Sequence, residues 1–246
     1  IGKLYVERYF PPEAKERMLS LVENLRQSFR LRIEHLEWMG ESTRREALEK
    51  LSRMRLKIGY PNTWKDYRGL QVETGSYALN VLRSMEYDFR TGPLGLDKAG
   101  GPVDRTAWYM HPQTVNAYYD PGMNEIVFPA AILQPPFFST DASDAHNYGA
   151  IGAIIGHEMI HGFDDMGRKY DRDGNLRDWW TENDEKEFTR RTQVIVDQYN
   201  AREVLPGLTA NGRLTLGENI ADLGGLTIAI HAYANLPGND GMARVP

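Results

Sequence analysis

The sequence contains no cysteine. That excludes disulfides, thiolate metal sites and a cysteine nucleophile in one step. It also leaves the redox compartment open. There is no apolar run of about 18 residues, so no segment reads as a membrane-spanning helix. Basic charge is not in excess: 29 Lys+Arg stand against 34 Asp+Glu, a formal charge of −5. A dedicated nucleic-acid binder carries a basic face, and nothing in this balance supports one. GxSxG is absent, which removes support for a serine hydrolase. The glycine-rich stretch Gly92 to Pro102 has neither GxGxxG nor GxxxxGK[ST], so a phosphate cradle has no support there. Internal repeats and low-complexity tracts are also missing.

What remains is a chain of 246 residues, 41% apolar and 26% charged, long enough to bury a core as one large domain or two lobes. Residues 11–39 predict a long amphipathic helix. Met18, Val22, Leu25, Phe29, Ile33 and Leu36 recur at three- and four-residue steps. Pro11 and Pro12 suit its start and Gly40 its end. A second helix is expected from a Ser42 or Thr43 cap to about Lys57, which makes residues 1–60 a helical hairpin. Another is expected from Glu73 to Asp88. Val115 to Tyr119 and Glu125 to Phe128 are β-branched and aromatic, split by Asp120-Pro121-Gly122, the pattern of a hairpin. Residues 143–163 form a long apolar helical segment, and 166–178 read as polar turns. Residues 181–202 predict a helix with Thr181 as N-cap and Glu182, Asp184 and Glu185 in its first turn. A last helix is expected over 217–235, followed by a loop from Pro237 to Pro246.

Within the apolar segment, His157-Glu158-Met159-Ile160-His161 is an HExxH motif. On a helix, residues i and i+4 share a face, so both imidazoles can reach one metal ion. Glu158 adjoins the first histidine, where it can take a proton from a metal-polarised water without binding the metal. A catalytic zinc needs three protein ligands and one open position. The candidate third ligand lies in Gly217-Glu218-Asn219-Ile220-Ala221-Asp222. Glu218 and Asp222 again share a helical face, among Leu216, Ile220, Leu223 and Leu226. Carboxylates in apolar surroundings need a cationic partner. Zinc and its imidazoles would supply one, with Glu218 as ligand and Asp222 accepting the other N–H of a zinc histidine.

Other features carry less. Asp171-Arg172-Asp173-Gly174-Asn175 has the 1, 3, 5 spacing of a calcium loop, with Glu182 at position 12. Position 6 is Leu176 where the turn needs glycine, so a plain turn is expected. Trp179 and Trp180 read as core aromatics. His35, His111, His146 and His231 have no partner at ligand spacing and read as structural or exposed.

HEMIHGFDD together with GENIADLGG resembles the neprilysin and endothelin-converting-enzyme family of zinc peptidases. VNAYYDPGMNEIVFPAAILQPPFF resembles that family's substrate-strand block, with Asn116-Ala117-Tyr118 at its Asn-Ala-Tyr/Phe motif. LYVERYF near the start and Trp38-Met39 extend the likeness over roughly residues 1–233.

The resemblance implies an α+β fold, predominantly α-helical: a thermolysin-like (gluzincin) catalytic domain with a small β region carrying the substrate strand. Residues 103–165 would hold the substrate strands and the HExxH helix, and 181–235 a helical lobe with the third ligand. His157, His161 and Glu218 would bind one Zn2+. Glu158 would act as general base, and Asp222 would orient His157. Asp164 or Asp165 would support His161, with a surface role the equal alternative for either. The Asn116 side chain and the Ala117 backbone would hold an extended peptide. Strand addition at a sheet edge gives that last role a physical basis. The implied activity is hydrolysis of internal bonds in peptides.

Two parts of the family pattern have no counterpart here. One is the block beyond the Glu/Asp helix with an oxyanion-stabilising histidine and a substrate-binding arginine. The other is the N-terminal lid domain. The expectation is therefore a partial catalytic domain with a complete zinc site and little turnover by itself. The alternative is a non-catalytic, zinc-bearing, peptide-binding protein. Family habit and the lack of cysteine point to a bacterial envelope or secreted protein, with the cytoplasm as the other option.

Overall fold

The structure is a computed structural model that describes residues 1–92 and 95–238. A short α1 (Gly2–Tyr9) leads into α2 (Pro12–Glu34). Pro12 stands in the first turn of α2, where a missing N–H costs no hydrogen bond. Met18, Leu21, Val22, Leu25, Phe29 and Ile33 form its buried face. The helix ends at Glu34, before the expected residue 39. Beyond it, Leu36 and Met39 still pack on the core.

The next helix, α3 (Glu41–Arg53), corrects the expected cap. Neither Ser42 nor Thr43 is its N-cap; Gly40 is. The Gly40 N–H and the Thr43 hydroxyl donate to Asp184, at 2.8 and 2.6 Å. A cap supplied from so far along the chain leaves no local signal. The expected run to Lys57 is also corrected. Arg55–Gly59 is a strand, β1, paired in parallel with β3 (Glu125–Pro129), Arg55 opposite Glu125 and Gly59 opposite Pro129. Leu56 and Ile58 alternate with charged residues, a pattern short enough to pass for a helix tail. Tertiary pairing decides it.

β2 (Tyr118–Asp120) lies antiparallel to β3, with Tyr119 opposite Ile126. The order is β1-β3-β2, so β3 is central and buried throughout and β2 forms an edge. The hairpin at Asp120-Pro121-Gly122 is present, but Asn116 and Ala117 precede the strand instead of lying in it. α4 (Tyr77–Thr91) starts later than expected, capped by the Ser76 side chain.

The 143–163 segment is three pieces end to end: α5 (Asp144–Asn147), a π turn over Tyr148–Gly152, and α6 (Ala153–His161). π turns inside helices concentrate at functional sites. Thr181 caps α7 (Glu182–Asn200) as expected, accepting the Asp184 N–H. β4 (Glu203–Leu205) and β5 (Leu208–Thr209) form a small hairpin that has no clear sequence signal. α8 (Leu216–Ala234) closes the described chain.

The core lies where α2, α6 and α8 meet: Leu25, Ile151, Ile155, Met159, Ile228 and Ala229 are all buried. Trp179 and Trp180 are buried with it, and Trp38 packs on Trp180. The Asp171 loop is a plain turn. It is closed by a Tyr170–Leu176 bridge, and the Asp171 carboxylate accepts the Asp173 and Asn175 N–H groups. Among the described residues, no helix is long and apolar enough to cross a membrane. Of the loop expected at Pro237–Pro246, residues 239–246 lie outside the described chain. The whole is a predominantly helical α+β fold, as expected.

Candidate metal centre

His157 and His161 occupy the last turns of α6, their rings edge to face with centroids 4.5 Å apart. Glu218 comes from the first turn of α8. Asp222, one turn further along α8, accepts from His157 Nδ1 at 2.8 Å. Asp164, just past the end of α6, accepts from His161 Nδ1 at 2.7 Å. With both Nδ1 protons held by carboxylates, both Nε2 atoms present lone pairs. Those two atoms lie 2.9 Å apart. Glu218 Oε2 stands 3.3 Å from the first and 3.6 Å from the second.

Three electron-pair donors within 4.8 Å of one another repel unless a cation lies among them. Two imidazole nitrogens and one carboxylate oxygen form the donor set of a catalytic zinc. A tetrahedral ion with bonds of about 2.0–2.1 Å separates its ligand atoms by roughly 3.3 Å, so the spacing fits zinc.

The expected apolar setting for the two α8 carboxylates is not what the structure has. The Glu218 and Asp222 side chains are 67% and 73% exposed, and Leu223 and Leu226 are exposed as well. Desolvation therefore does not gather these acids. The imidazoles do. Of the two acids after His161, Asp164 is the one that holds its ring, and it also accepts the Met166 and Gly167 N–H groups.

Glu158 is buried beside the pair, and the Tyr119 backbone of the edge strand favours its ionised form. Burial pushes its carboxyl above the usual glutamate range, against the pull of His161 and His157. For His161, burial pulls down, but the Asp164 bond and the charges of Glu158 and Glu218 outweigh it and raise the imidazole. A cleft of about 540 Å³ opens here, lined by the three candidate ligands and by Asn116, Ala117, Tyr118, Glu158, Met166 and Tyr170 among others. Asn116 is exposed, and its Oδ1 accepts the Ala117 N–H at 2.9 Å. The backbone group that Ala117 can offer a peptide is therefore its carbonyl.

Lys50 has no motif to advertise it. Its ammonium is fully buried and donates to the carbonyls of Gly162, Gly167 and Tyr170. Burial pushes it down to about 7, with Asp164 and Asp171 pulling it back up. The sequence does carry one trace: Lys50 falls on the stripe Thr43, Ala47, Lys50, Leu51 that forms the buried face of α3.

This architecture is a thermolysin-like gluzincin fold, the fold of a class of metallopeptidases. Residues 116–244 and 1–61 match the sequence profiles described as peptidase family M13, and the chain belongs to that family. An endothelin-converting enzyme homolog of Locusta migratoria is 41% identical over 240 residues, 95% of this chain and 32% of that protein. Human endothelin-converting enzyme 1 is 41% identical over 242 residues, 96% of this chain and 31% of that protein. The crystal structure of Mycobacterium tuberculosis zinc metalloprotease Zmp1 with an inhibitor superposes with a TM-score of 0.86 at 52% identity, covering 94% of this chain and 35% of that one. PepO of Lactobacillus rhamnosis superposes with a TM-score of 0.88 at 35% identity, covering 96% and 37%. The chain thus spans about a third of the length of the relatives it matches.

Proposed function

We propose that this chain forms the metal-binding core of a zinc-dependent endopeptidase. The observation that carries the reading is the convergence of His157 Nε2, His161 Nε2 and Glu218 Oε2, with both Nδ1 atoms turned to carboxylates. These three side chains would hold one Zn2+. When bound, zinc polarises the scissile carbonyl and makes water acidic enough to serve as a nucleophile near neutral pH.

The remaining work belongs to the chain. Glu158, ionised, takes the proton of the attacking water and returns it to the leaving nitrogen. Asp222 and Asp164 hold the two rings in one tautomer. β2 is an edge strand, and an extended peptide can lie along it, with the Asn116 amide and the Ala117 carbonyl fixing its register.

The test is zinc stoichiometry in the purified protein, joined to an assay of peptide hydrolysis. One zinc per chain is expected, lost in His157→Ala, His161→Ala and Glu218→Ala. Glu158→Gln should keep the zinc and abolish hydrolysis of an internally quenched peptide. Retained hydrolysis in Glu158→Gln refutes the base assignment. Full zinc loading in His157→Ala refutes the ligand set. Zinc binding and peptide binding without hydrolysis favours the peptide-binding alternative.

A further inference from the structure

Lys50 sits on α3, yet every hydrogen bond of its ammonium goes to one short stretch after α6. Nζ donates to Gly162 O at 2.6 Å, Gly167 O at 2.8 Å and Tyr170 O at 2.7 Å. Three acceptors match the three protons of an ammonium. The rings of Tyr119, Phe163 and Trp179 surround it, with Nζ 5.9, 5.5 and 5.9 Å from their centroids. A charged group fully out of water is disfavoured unless its hydrogen bonds are complete, and a methionine would fill the same space without that cost. What a methionine could not do is gather three carbonyls.

Those carbonyls belong to the turn that carries Asp164. Asp164 grips the same turn from the other side: its Oδ1 accepts the Gly167 N–H at 2.7 Å while Lys50 takes the Gly167 carbonyl. Its Oδ2 is thereby left facing His161 Nδ1. The main chain of Lys50 is tied in as well. Its carbonyl accepts from Asn124 Nδ2 at 3.0 Å, and Asn124 Oδ1 accepts the Tyr119 hydroxyl at 3.1 Å. Tyr119 lines the same cleft as Glu158.

We propose that Lys50 is a positioning residue for the metal centre: its ammonium fixes the 162–170 turn so that Asp164 locks His161 in the tautomer that offers Nε2 to the metal. The inference rests on the reading of His161 as a zinc ligand.

The experiment compares Lys50→Met, Asp164→Asn and the double variant in the 246-residue chain. Zinc affinity is read by competition with a chromophoric chelator. Each single variant should bind zinc about 10- to 100-fold more weakly, the range for losing a group that orients a ligand. The double variant should bind within about 2-fold of the weaker single, because both changes break one linkage. The metal-free chain supplies a second readout, the low-field imidazole Nδ1–H proton resonance that Asp164→Asn abolishes. Lys50→Met should lose or shift it too.

A Lys50→Met chain that is less heat-stable but binds zinc as tightly as the parent and keeps the resonance overturns the proposal. So do losses that multiply in the double variant. If the parent chain binds no zinc, the ligand reading has failed, and the proton resonance still decides whether Lys50 governs the Asp164–His161 bond. If Lys50→Met does not fold, Lys50→Gln, which keeps two N–H donors, should show a smaller affinity loss in the same direction. Unchanged affinity and resonance in that variant count against the proposal.

Discussion

Gly156 of α6 and Gly225 of α8 stand in backbone contact: a Cβ on Gly156 would come within 2.6 Å of the Gly225 carbonyl oxygen and 2.7 Å of its Cα. A Cβ on Gly225 would lie 2.4 Å from the His157 nitrogen and 2.6 Å from the Ala153 carbonyl oxygen. The helices cross this closely because neither carries a side chain there. Asp222 and Glu218 lie about one and two turns before Gly225 on α8, and the crossing brings them over the α6 histidines.

Gly225→Ala should therefore push α8 off α6. Overpacking of this kind typically costs about 1–3 kcal/mol. Zinc affinity should fall by about 10-fold or more, since a displaced Glu218 no longer meets both Nε2 atoms. Urea unfolding and zinc titration measure the two effects. Gly149→Ala, where a Cβ meets nothing within 4 Å, is the matched control and should change neither strongly. Equal zinc affinity in the Gly225 variant would show that helix spacing does not set the site.

Asp222 and Asp164 do the same thing to two histidines, but only one of them also builds a turn. Asp222→Asn and Asp164→Asn should each weaken zinc binding by about 10- to 100-fold. Asp222 is exposed, and the bond it makes is to His157. Its variant should unfold at nearly the parent temperature. Asp164 is buried and accepts two backbone N–H groups besides the imidazole. Its variant should also melt several degrees lower, about 1–2 kcal/mol for a 246-residue chain. Calorimetry on both metal-free variants separates the roles. Equal melting temperatures would contradict the buried network.

The candidate site residues stand out in the sequence because each has a local signature. HExxH places two imidazoles on one helical face, and Glu218 with Asp222 repeats the same spacing. An apolar setting, expected for the second pair, is absent: both side chains are exposed. A helical face seen in one dimension does not say whether anything covers it. The features that escaped depend on tertiary partners. β1 is a strand only because β3 lies beside it, and the start of α3 is tied to a residue of α7. Asp164 and Asp165 could not be ranked, since a shift of one residue decides which carboxylate meets His161. The role of Lys50 depends on the carbonyls of a turn more than a hundred residues away.

The buried pair Lys57–Glu125 pins the parallel register of β1 against β3. Lys57 Nζ lies 2.6 Å from Glu125 Oε1, and Glu125 is fully buried. Burial pushes the Glu125 carboxyl above its ordinary value, against the pull of Lys57. Lys57→Met leaves that acid without its cation, a change that typically costs about 3–5 kcal/mol. Lys57→Met combined with Glu125→Gln should recover part of the loss, because no lone charge remains. Urea unfolding of the two variants tests this, and a double variant no more stable than the single one would count against an electrostatic origin.

Asp184 offers a test by pH. Its carboxylate accepts from the Gly40 N–H, the Thr43 hydroxyl and the Thr181 hydroxyl, joining the starts of α3 and α7. Burial works to raise its pKa, but the bonds from Thr181, Thr43 and Gly40 together outweigh it and hold the group below the ordinary aspartate value. A carboxyl whose folded pKa lies below its unfolded one contributes stability in full above the unfolded value, about 4. That contribution is lost as pH falls through the folded value. Asp184→Asn should cost about 2 kcal/mol near pH 7, the scale of hydrogen bonds to a charged acceptor. The gap between parent and variant should narrow as pH drops from about 4 toward 2, because the parent then loses its charge while the amide has none to lose. Urea unfolding of both proteins across that range measures the gap. A difference that stays constant down to the lowest pH would mean that the negative charge of Asp184 contributes nothing to the two helix starts.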